Sequence, residues 1–509
     1  MKKILSLLFS SVLFLNSNAQ SFREIDQNNV TAGFGADGAL FWNDTDFTSH
    51  LHSNDVNLSS AAARLWFGGY SGGGILHVAA ETYRQTGTDF WPGPLDTTTV
   101  VCDSSRSDFY NKVWRMYCFE VDSFNTYLAG QASPGYVVPF DILDWPGNGD
   151  AAYGEGHYIG PYVDVDGDGF YNWSAGDYPK VKGQEALFYV TNDHLDGASH
   201  TESGGLPLGF EIHAMPYEFN LGWDEAVSNT VFVHYVIIDR STIALDSLVI
   251  GMWSDLDLLP GNVGTRCGSD STLSSYYVYN DHSAVGVVFL DDTMNGFIAN
   301  NNDFTTMGNP QTTDDFYDYA RQRWKDGSPL TYGGNGYGGN SPTRWMNSGD
   351  PASGSGWVSG NTIDQHNIGS TKPKFINPGS VFPFDVAFVM AHDTGSSYAC
   401  VTKLKQYIAD VRNFYATESQ DCTPGVTGIE EAQNSNQLKL FPDPAQNMIT
   451  ISGMQEENYS IFNSLGQEIL SGKLNPSGQV DISALAPGIY FIRTGEATTY
   501  QTVTFVKAE

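Results

Sequence analysis

A chain of 509 residues is longer than one hydrophobic core usually organises, so at least two folding units are expected. Its 25 basic and 58 acidic side chains give a formal net charge of −33; phosphate backbones and anionic lipid headgroups repel such a protein, which argues against nucleic acid as a partner. With 54 Gly, 27 Tyr, 30 Phe and 11 Trp at only 16% charged residues, the composition favours aromatic-rich strands and tight turns, a mainly β fold.

Residues 1–19 have the form of an export signal: Lys2 and Lys3, an apolar run from Ile4 to Leu15, then small residues at Ser17 and Ala19 ahead of a cut before Gln20. No later stretch is apolar for long enough to span a bilayer, so the exported chain is expected to carry no transmembrane segment. Cys102, Cys118, Cys267, Cys400 and Cys422 follow, at no zinc spacing. The sequence-local pairings are Cys102 with Cys118 and Cys400 with Cys422, leaving Cys267 over. Spacing does not fix connectivity, and five free thiols are the other reading.

The segments 65–69 and 75–80 read as two strands joined by the turn Tyr70-Ser71-Gly72-Gly73-Gly74. Gly69-Tyr70-Ser71-Gly72-Gly73 satisfies the G-x-S-x-G pattern of serine hydrolases. A nucleophile elbow needs a helix after the strand, however, and here a second strand follows, so the pattern is read as a hairpin.

Beyond Trp145-Pro146-Gly147 lies Asp164-Val-Asp166-Gly-Asp168-Gly169-Phe170-Tyr-Asn172-Trp-Ser-Ala175-Gly-Asp177. Aspartates at alternate positions followed by glycine match the opening of an EF-hand-type calcium loop, and three such carboxylates repel one another unless a cation neutralises them. The candidate ligand set is Asp164, Asp166, Asp168, Phe170 and Asp177, with calcium as the cofactor. The loop departs from an EF-hand: Ala175 stands where the bidentate Glu belongs, Asp177 comes two residues late, and no long amphipathic helices flank it. A structural calcium turn in a β-rich protein is therefore expected, against the plain alternative of a solvated Asp/Gly turn.

Strands are expected at 185–191, 210–215, 230–238, 248–253 and 384–390, with 230–238 as a buried central strand because its β-branched and aromatic residues are continuous. Asp255 and Asp257 alternate beyond one of these strands and, with Asp270 further on, raise a second cation site as a question. Residues 291–365 are irregular, with one short helix around 314–324 and Trp324, Trp345 and Trp357 spaced among glycines, more in keeping with core edges than with a sugar platform. Val401, Leu404, Ile408, Val411 and Tyr415 fall at helical spacing and predict one amphipathic helix. Asn192-Asp193-His194 with His200 could form a small metal site, but His77, His157, His194, His200 and His213 read better as hydrogen-bonded or exposed.

Residues 422–437 are a linker by composition. Seven short strands follow, at 438–441, 448–451, 459–462, 468–470, 479–482, 489–493 and 502–506, a count and spacing that predict a small immunoglobulin-like β-sandwich. Phe441-Pro-Asp443-Pro-Ala445, Ile461-Phe-Asn-Ser-Leu-Gly466, Leu485-Ala-Pro-Gly-Ile-Tyr490 and the terminal Val503-Thr-Phe-Val-Lys507 resemble the type A C-terminal sorting domain of the type IX secretion system in Bacteroidota, with Asp443 where that family usually carries Asn. The resemblance implies a route through the periplasm to an outer-membrane translocon, then release or attachment to surface lipopolysaccharide. The passenger resembles large secreted Bacteroidota proteins with the same tail, through Leu65-Trp-Phe-Gly-Gly69, residues 77–84, Asp89-Phe-Trp-Pro-Gly-Pro-Leu-Asp96, Gly176-Asp-Tyr-Pro179 and Trp324-Lys-Asp-Gly327. That likeness supports the family and leaves the function open.

The expected organisation is a signal at 1–19, a β-rich passenger at 20–421 with room for two subdomains, the linker, and the sorting domain at 438–509. Two functional readings follow. The preferred one is a non-enzymatic surface or secreted protein for adhesion, coating or carbohydrate contact, stabilised by calcium. The other is a secreted polysaccharide hydrolase working through paired carboxylates such as Glu211 with Asp193 or Asp255 with Asp257.

Overall fold

The structure is a computed structural model that describes residues 21–259, 264–360, 364–422, 439–441, 445–452, 458–463, 468–494 and 501–508. The export signal, nearly all of the linker, and the Pro442-Asp443-Pro444 and Ser464-Leu465-Gly466 portions of the tail motifs lie outside the described residues. The chain divides into two compact units, residues 1–425 and 426–509.

The passenger is built on two antiparallel sheets. The broad one has nine strands, in the order Arg266–Asp270, Ser275–Tyr279, Ser283–Phe289, Val381–His392, Thr230–Asp239, Phe210–Glu218, Glu185–Asn192 and Trp91–Pro92, with Trp114–Tyr117 also pairing along Glu185–Asn192. The narrow one has six: Met294–Asn301, Gln365–Thr371, Leu245–Leu258, Leu58–Ser71 and Ile75–Ala80, with Lys374–Ile376 beside Leu245–Leu258.

Thr230–Asp239 lies between Phe210–Glu218 and Val381–His392, at the centre of the broad sheet. Its period of two sends Val231, Val233, Tyr235 and Ile237 into the core shared with the narrow sheet. Phe232 points the other way, into a second core. With one face in the core and the other covered at Phe232 and half-buried at His234, Val236 and Ile238, the strand leaves little room for a polar stripe, and its sequence is accordingly almost continuously apolar.

The second core is covered by the helix Ala399–Thr417, whose buried Cys400, Val401, Leu404, Ile408, Val411 and Phe414 form the predicted stripe. The helix sits close because Gly286 offers no side chain: a Cβ there would stand 3.0 Å from Ile408 Cδ1 and 3.3 Å from Leu404 Cδ1. The helix expected around 314–324 is Thr313–Ala320, started by a Thr312–Asp315 capping box, with Phe316 packed on Trp66. Leu245–Leu258 runs past the expected end at 253, so Asp255 and Asp257 are strand residues.

The cysteine pairings expected from sequence proximity are overturned. Cys118 bonds Cys422 across 304 residues, at a Cα–Cα distance of 5.6 Å, and Cys102, Cys267 and Cys400 are free and buried. The reason is tertiary. After the last helix the chain runs back beside 181–184, where the Gly183 N–H donates to Gln420 O at 2.9 Å and the Cys422 N–H to Val181 O at 2.8 Å, while the Cys118 N–H donates to Gln184 O. Cys118 and Cys422 thus flank one segment. Burial pushes the three remaining thiols up to about 12, which leaves them protonated and inert.

In the C-terminal unit all seven expected strands are present. Lys439–Phe441, Met448–Ser452 and Gln479–Asp481 form one sheet; Glu468–Lys473, Asn458–Asn463, Gly488–Thr494 and Gln501–Lys507 form the other. Ile449, Ile451 and Val480 of the first meet Ile461, Ile492 and Phe505 of the second in one small core.

The disulfide closes a loop across 304 residues, and a Cys118→Ser/Cys422→Ser chain is expected to lose about 2–5 kcal/mol of stability in denaturant titration. Peptide mapping under non-reducing conditions should recover a 118–422 cross-link, with Cys102, Cys267 and Cys400 alkylated only after unfolding.

Candidate functional site

The acidic loop hangs beside the outer face of the broad sheet, between the short paired strands Tyr162–Val163 and Tyr178–Pro179. Gly167 and Gly169 have φ of 75° and 82°, the left-handed conformation that lets the chain fold the aspartates inward. Asp164 accepts from the Gly167 N–H at 2.7 Å and the Gly169 N–H at 2.8 Å, and Asp168 from the Phe170 N–H at 2.7 Å. One oxygen each from Asp164, Asp166 and Asp168 lies within 4.8 Å of the others. Each ionised carboxylate offers about four lone-pair sites, so capacity is left over beyond these backbone bonds.

Asp177 has a different place. It is fully buried, and its oxygens accept from the Val165 and Asn172 N–H groups, each at 2.8 Å, so it clasps the two ends of the loop. Phe170 is 59% exposed and packs its ring against His157 at 4.9 Å. The Gly169 carbonyl anchors the loop to its surroundings, accepting from Tyr162 OH at 2.7 Å, His157 Nε2 at 2.8 Å and Asn148 Nδ2 at 3.3 Å. The electrostatics of Asp164 and Asp166 diverge. The Gly169 N–H foremost holds Asp164 below the ordinary carboxylate value, whereas desolvation and then the neighbouring Asp168, Asp177 and Asp164 charges raise Asp166.

Next to the loop is a cleft of about 460 Å³. Its floor is the outer face of the broad sheet, with His213 and Met215 on one strand, His234, Val236 and Ile238 on the next, and Phe188 beside them. Tyr158 to Tyr162 and Asp164 line its other side. Each imidazole is backed by a carboxylate: His213 Nε2 to Glu211 Oε1 at 2.8 Å, and His234 Nδ1 to Asp385 Oδ1 at 2.5 Å. The sequence reading passed over His234 because it sits inside an apolar run, and over Tyr158 and Tyr162 because nothing local ties them to the strands they face.

The other candidates separate. Asp193 accepts from the Leu208, Gly209 and Phe210 N–H groups, and Glu211 from Arg240, His213 and the Leu95 N–H. Burial alone would raise Glu211, but His213 and Arg240 hold it at about 2. Both carboxylates are engaged in structural bonds. Ser71 ends its strand and leads through the glycine turn into Ile75–Ala80, so no nucleophile elbow is built; its Oγ lies 3.0 Å from His77 Nε2, and His77 Nδ1 meets the Pro207 carbonyl at 2.6 Å. Asp270 pairs with Lys405 at 3.0 Å. Asp255 instead gathers with Asp364 and His366.

His200 is held by two carbonyls, Val78 O at 2.7 Å and Asp193 O at 2.6 Å, so both ring nitrogens donate and neither is free for a metal. Burial disfavours its charged form, yet Asp193 and Asp89 raise its pKa above the ordinary imidazole value. A raised folded-state pKa contributes stability that is complete below about pH 6.5, the unfolded value, and is lost as pH rises through the folded value. His200→Gln should therefore lower the melting temperature more at pH 6 than at pH 9, a difference that paired thermal melts measure.

Residues 439–508 match the family described as secretion system C-terminal sorting domains. No curated protein matches the chain. Among solved structures, a polysaccharide lyase aligns with 8% identity and a TM-score of 0.16, over 69% of this chain and 43% of its own length. The chain thus spans less than half of that protein, and a superposition so loose assigns neither fold nor activity. Among the described residues, no helix is long and apolar enough to cross a membrane. The tail therefore carries an address to the type IX secretion machinery, which makes this a protein secreted to the cell surface or beyond, its C-terminal unit a member of the type IX C-terminal sorting domains.

Proposed function

We propose that the passenger is a non-enzymatic contact protein of the cell surface or its surroundings, serving adhesion, coating or carbohydrate contact and stiffened by calcium at Asp164, Asp166 and Asp168. The observation that carries this reading is the cleft beside the loop. Tyr158, 64% exposed, and Tyr162 offer ring faces suited to the apolar faces of sugars, and His213 and His234 offer polar contacts for hydroxyls. Asp164 belongs both to the acidic triad and to the cleft lining. A cation there would stiffen the loop that walls the cleft, so metal and ligand binding are coupled through Asp164. Surface polysaccharide, lipopolysaccharide included, is the ligand class.

Hydrolysis of a glycosidic bond calls for two carboxyl groups flanking the substrate. Neither Glu211 with Asp193 nor Asp255 with Asp257 lines this cleft, which weighs against the hydrolase reading.

Calcium at about ten times its dissociation constant should stabilise the passenger by roughly 1.4 kcal/mol, seen as a higher melting temperature that chelator reverses and that Asp166→Asn/Asp168→Asn abolishes; melts identical with and without calcium would remove the metal. On a glycan array the wild type should be retained and Tyr158→Ala not, while turnover of any glycan that disappears in His234→Ala would overturn the non-enzymatic reading. For delivery, a chain lacking residues 438–509 should accumulate in the periplasm, and its normal arrival at the surface would refute dependence on the tail.

A further inference from the structure

A second group of metal-ligating side chains lies on the narrow sheet. Leu245–Leu258 pairs with Gln365–Thr371 in the register Met252 to Gly369, Trp253 to Ile368 and Ser254 to Asn367. Continued antiparallel, that register sets Asp255 opposite His366 and Asp257 opposite Asp364, two i, i+2 pairs on one face. Ser254 Oγ meets Tyr276 OH of the broad sheet at 3.0 Å, so Asp255 and its group face away from that sheet. Donor atoms of Asp255, Asp364 and His366 lie within 4.8 Å of one another.

Asp255 and His366 are 4% and 6% exposed. Tyr83 OH donates to Asp255 Oδ2, and the Tyr83 ring packs on Trp253 at 5.5 Å. Asp364 Oδ2 accepts from Asn302 Nδ2 at 2.9 Å. Two buried atoms are left over: Asp255 Oδ1 has no hydrogen-bond partner, and neither has His366 Nε2, which lies 3.2 Å from Asp255 Oδ2 but off the line of a hydrogen bond. A buried polar atom without a partner costs about 1–3 kcal/mol, and more when charged. Here Asp255 Oδ1 carries that cost among three carboxylates, with His366 Nε2 held beside it only by the ion-pair contact to Asp255 Oδ2.

We propose that Asp255, Asp364 and His366 bind a divalent transition-metal ion of the zinc or manganese class. A cation at their centre engages both unpartnered atoms and neutralises the facing carboxylates. One imidazole nitrogen with carboxylate oxygens suits zinc or manganese, whereas calcium takes six to eight oxygens. Three protein donors leave a coordination position for water, with Asp257 alongside. The site is independent of the calcium loop, whose donors are all oxygens.

The test strips the full chain with chelator and titrates it with Zn2+, following heat and bound metal, with Co2+ as a spectroscopic stand-in. One zinc per chain is expected with visible Co2+ bands, and His366→Gln and the partly exposed Asp364→Asn should each bind at least about tenfold more weakly, with circular dichroism confirming that both fold. Asp166→Asn/Asp168→Asn should bind zinc as the wild type does. Equal zinc uptake by the wild type and both site variants, loss of uptake in the loop variant alone, or no uptake by any chain, with water satisfying the two atoms, would overturn the site.

Discussion

Burying both faces of one antiparallel sheet is the constraint from which the rest of the passenger follows. Thr230–Asp239 and its neighbours contact the narrow sheet on one side and the helix Ala399–Thr417 on the other. Any polar group placed in such a sheet must find its partner locally. Asp193 does so with three backbone N–H groups, and Glu211 with an arginine, a histidine and a backbone N–H. Where the outer face lacks the helix, the same strands floor the cleft instead, and His213 and His234 become the groups that face it.

The chain handles clustered negative charge in two contrasting ways. Near the N-terminal strands, Arg64 bridges Asp37 at 2.9 Å and Glu81 at 2.8 Å, while Arg84 reaches Asp37 at 2.6 Å. Burial alone would raise Asp37, but the two guanidinium groups hold it well below the usual carboxylate range. At Asp164, Asp166 and Asp168, and again at Asp255, Asp257 and Asp364, carboxylates face one another, and the shifts run upward at Asp166 and Asp257. With 58 acidic and 25 basic side chains, arginine is a scarce neutraliser, and the divalent cations proposed at these two clusters would be the compact alternative.

Strand identity was legible wherever apolar runs were long or alternation regular: Glu185–Asn192, Phe210–Glu218, Thr230–Asp239, Val381–His392 and the seven strands of the tail all follow from local pattern. The helix Ala399–Thr417 follows from its 3.6-residue stripe. The acidic loop was legible as a cluster because its three aspartates are neighbours in the chain. Asp177 was harder to place, since a carboxylate that clasps two N–H groups and one whose oxygens gather with other carboxylates look alike in sequence.

By itself, then, the sequence determined the β class, the tail that addresses the chain for secretion and the acidic loop, because each is written in residues a few positions apart, where turn geometry and side-chain period act directly. Only the tertiary structure decided that Cys118 joins Cys422, that His234 shares a cleft with Tyr158, and that His366 stands beside Asp255. Those meetings depend on strand order and register across hundreds of residues, and register is set by how two sheet faces pack rather than by any residue's own preference.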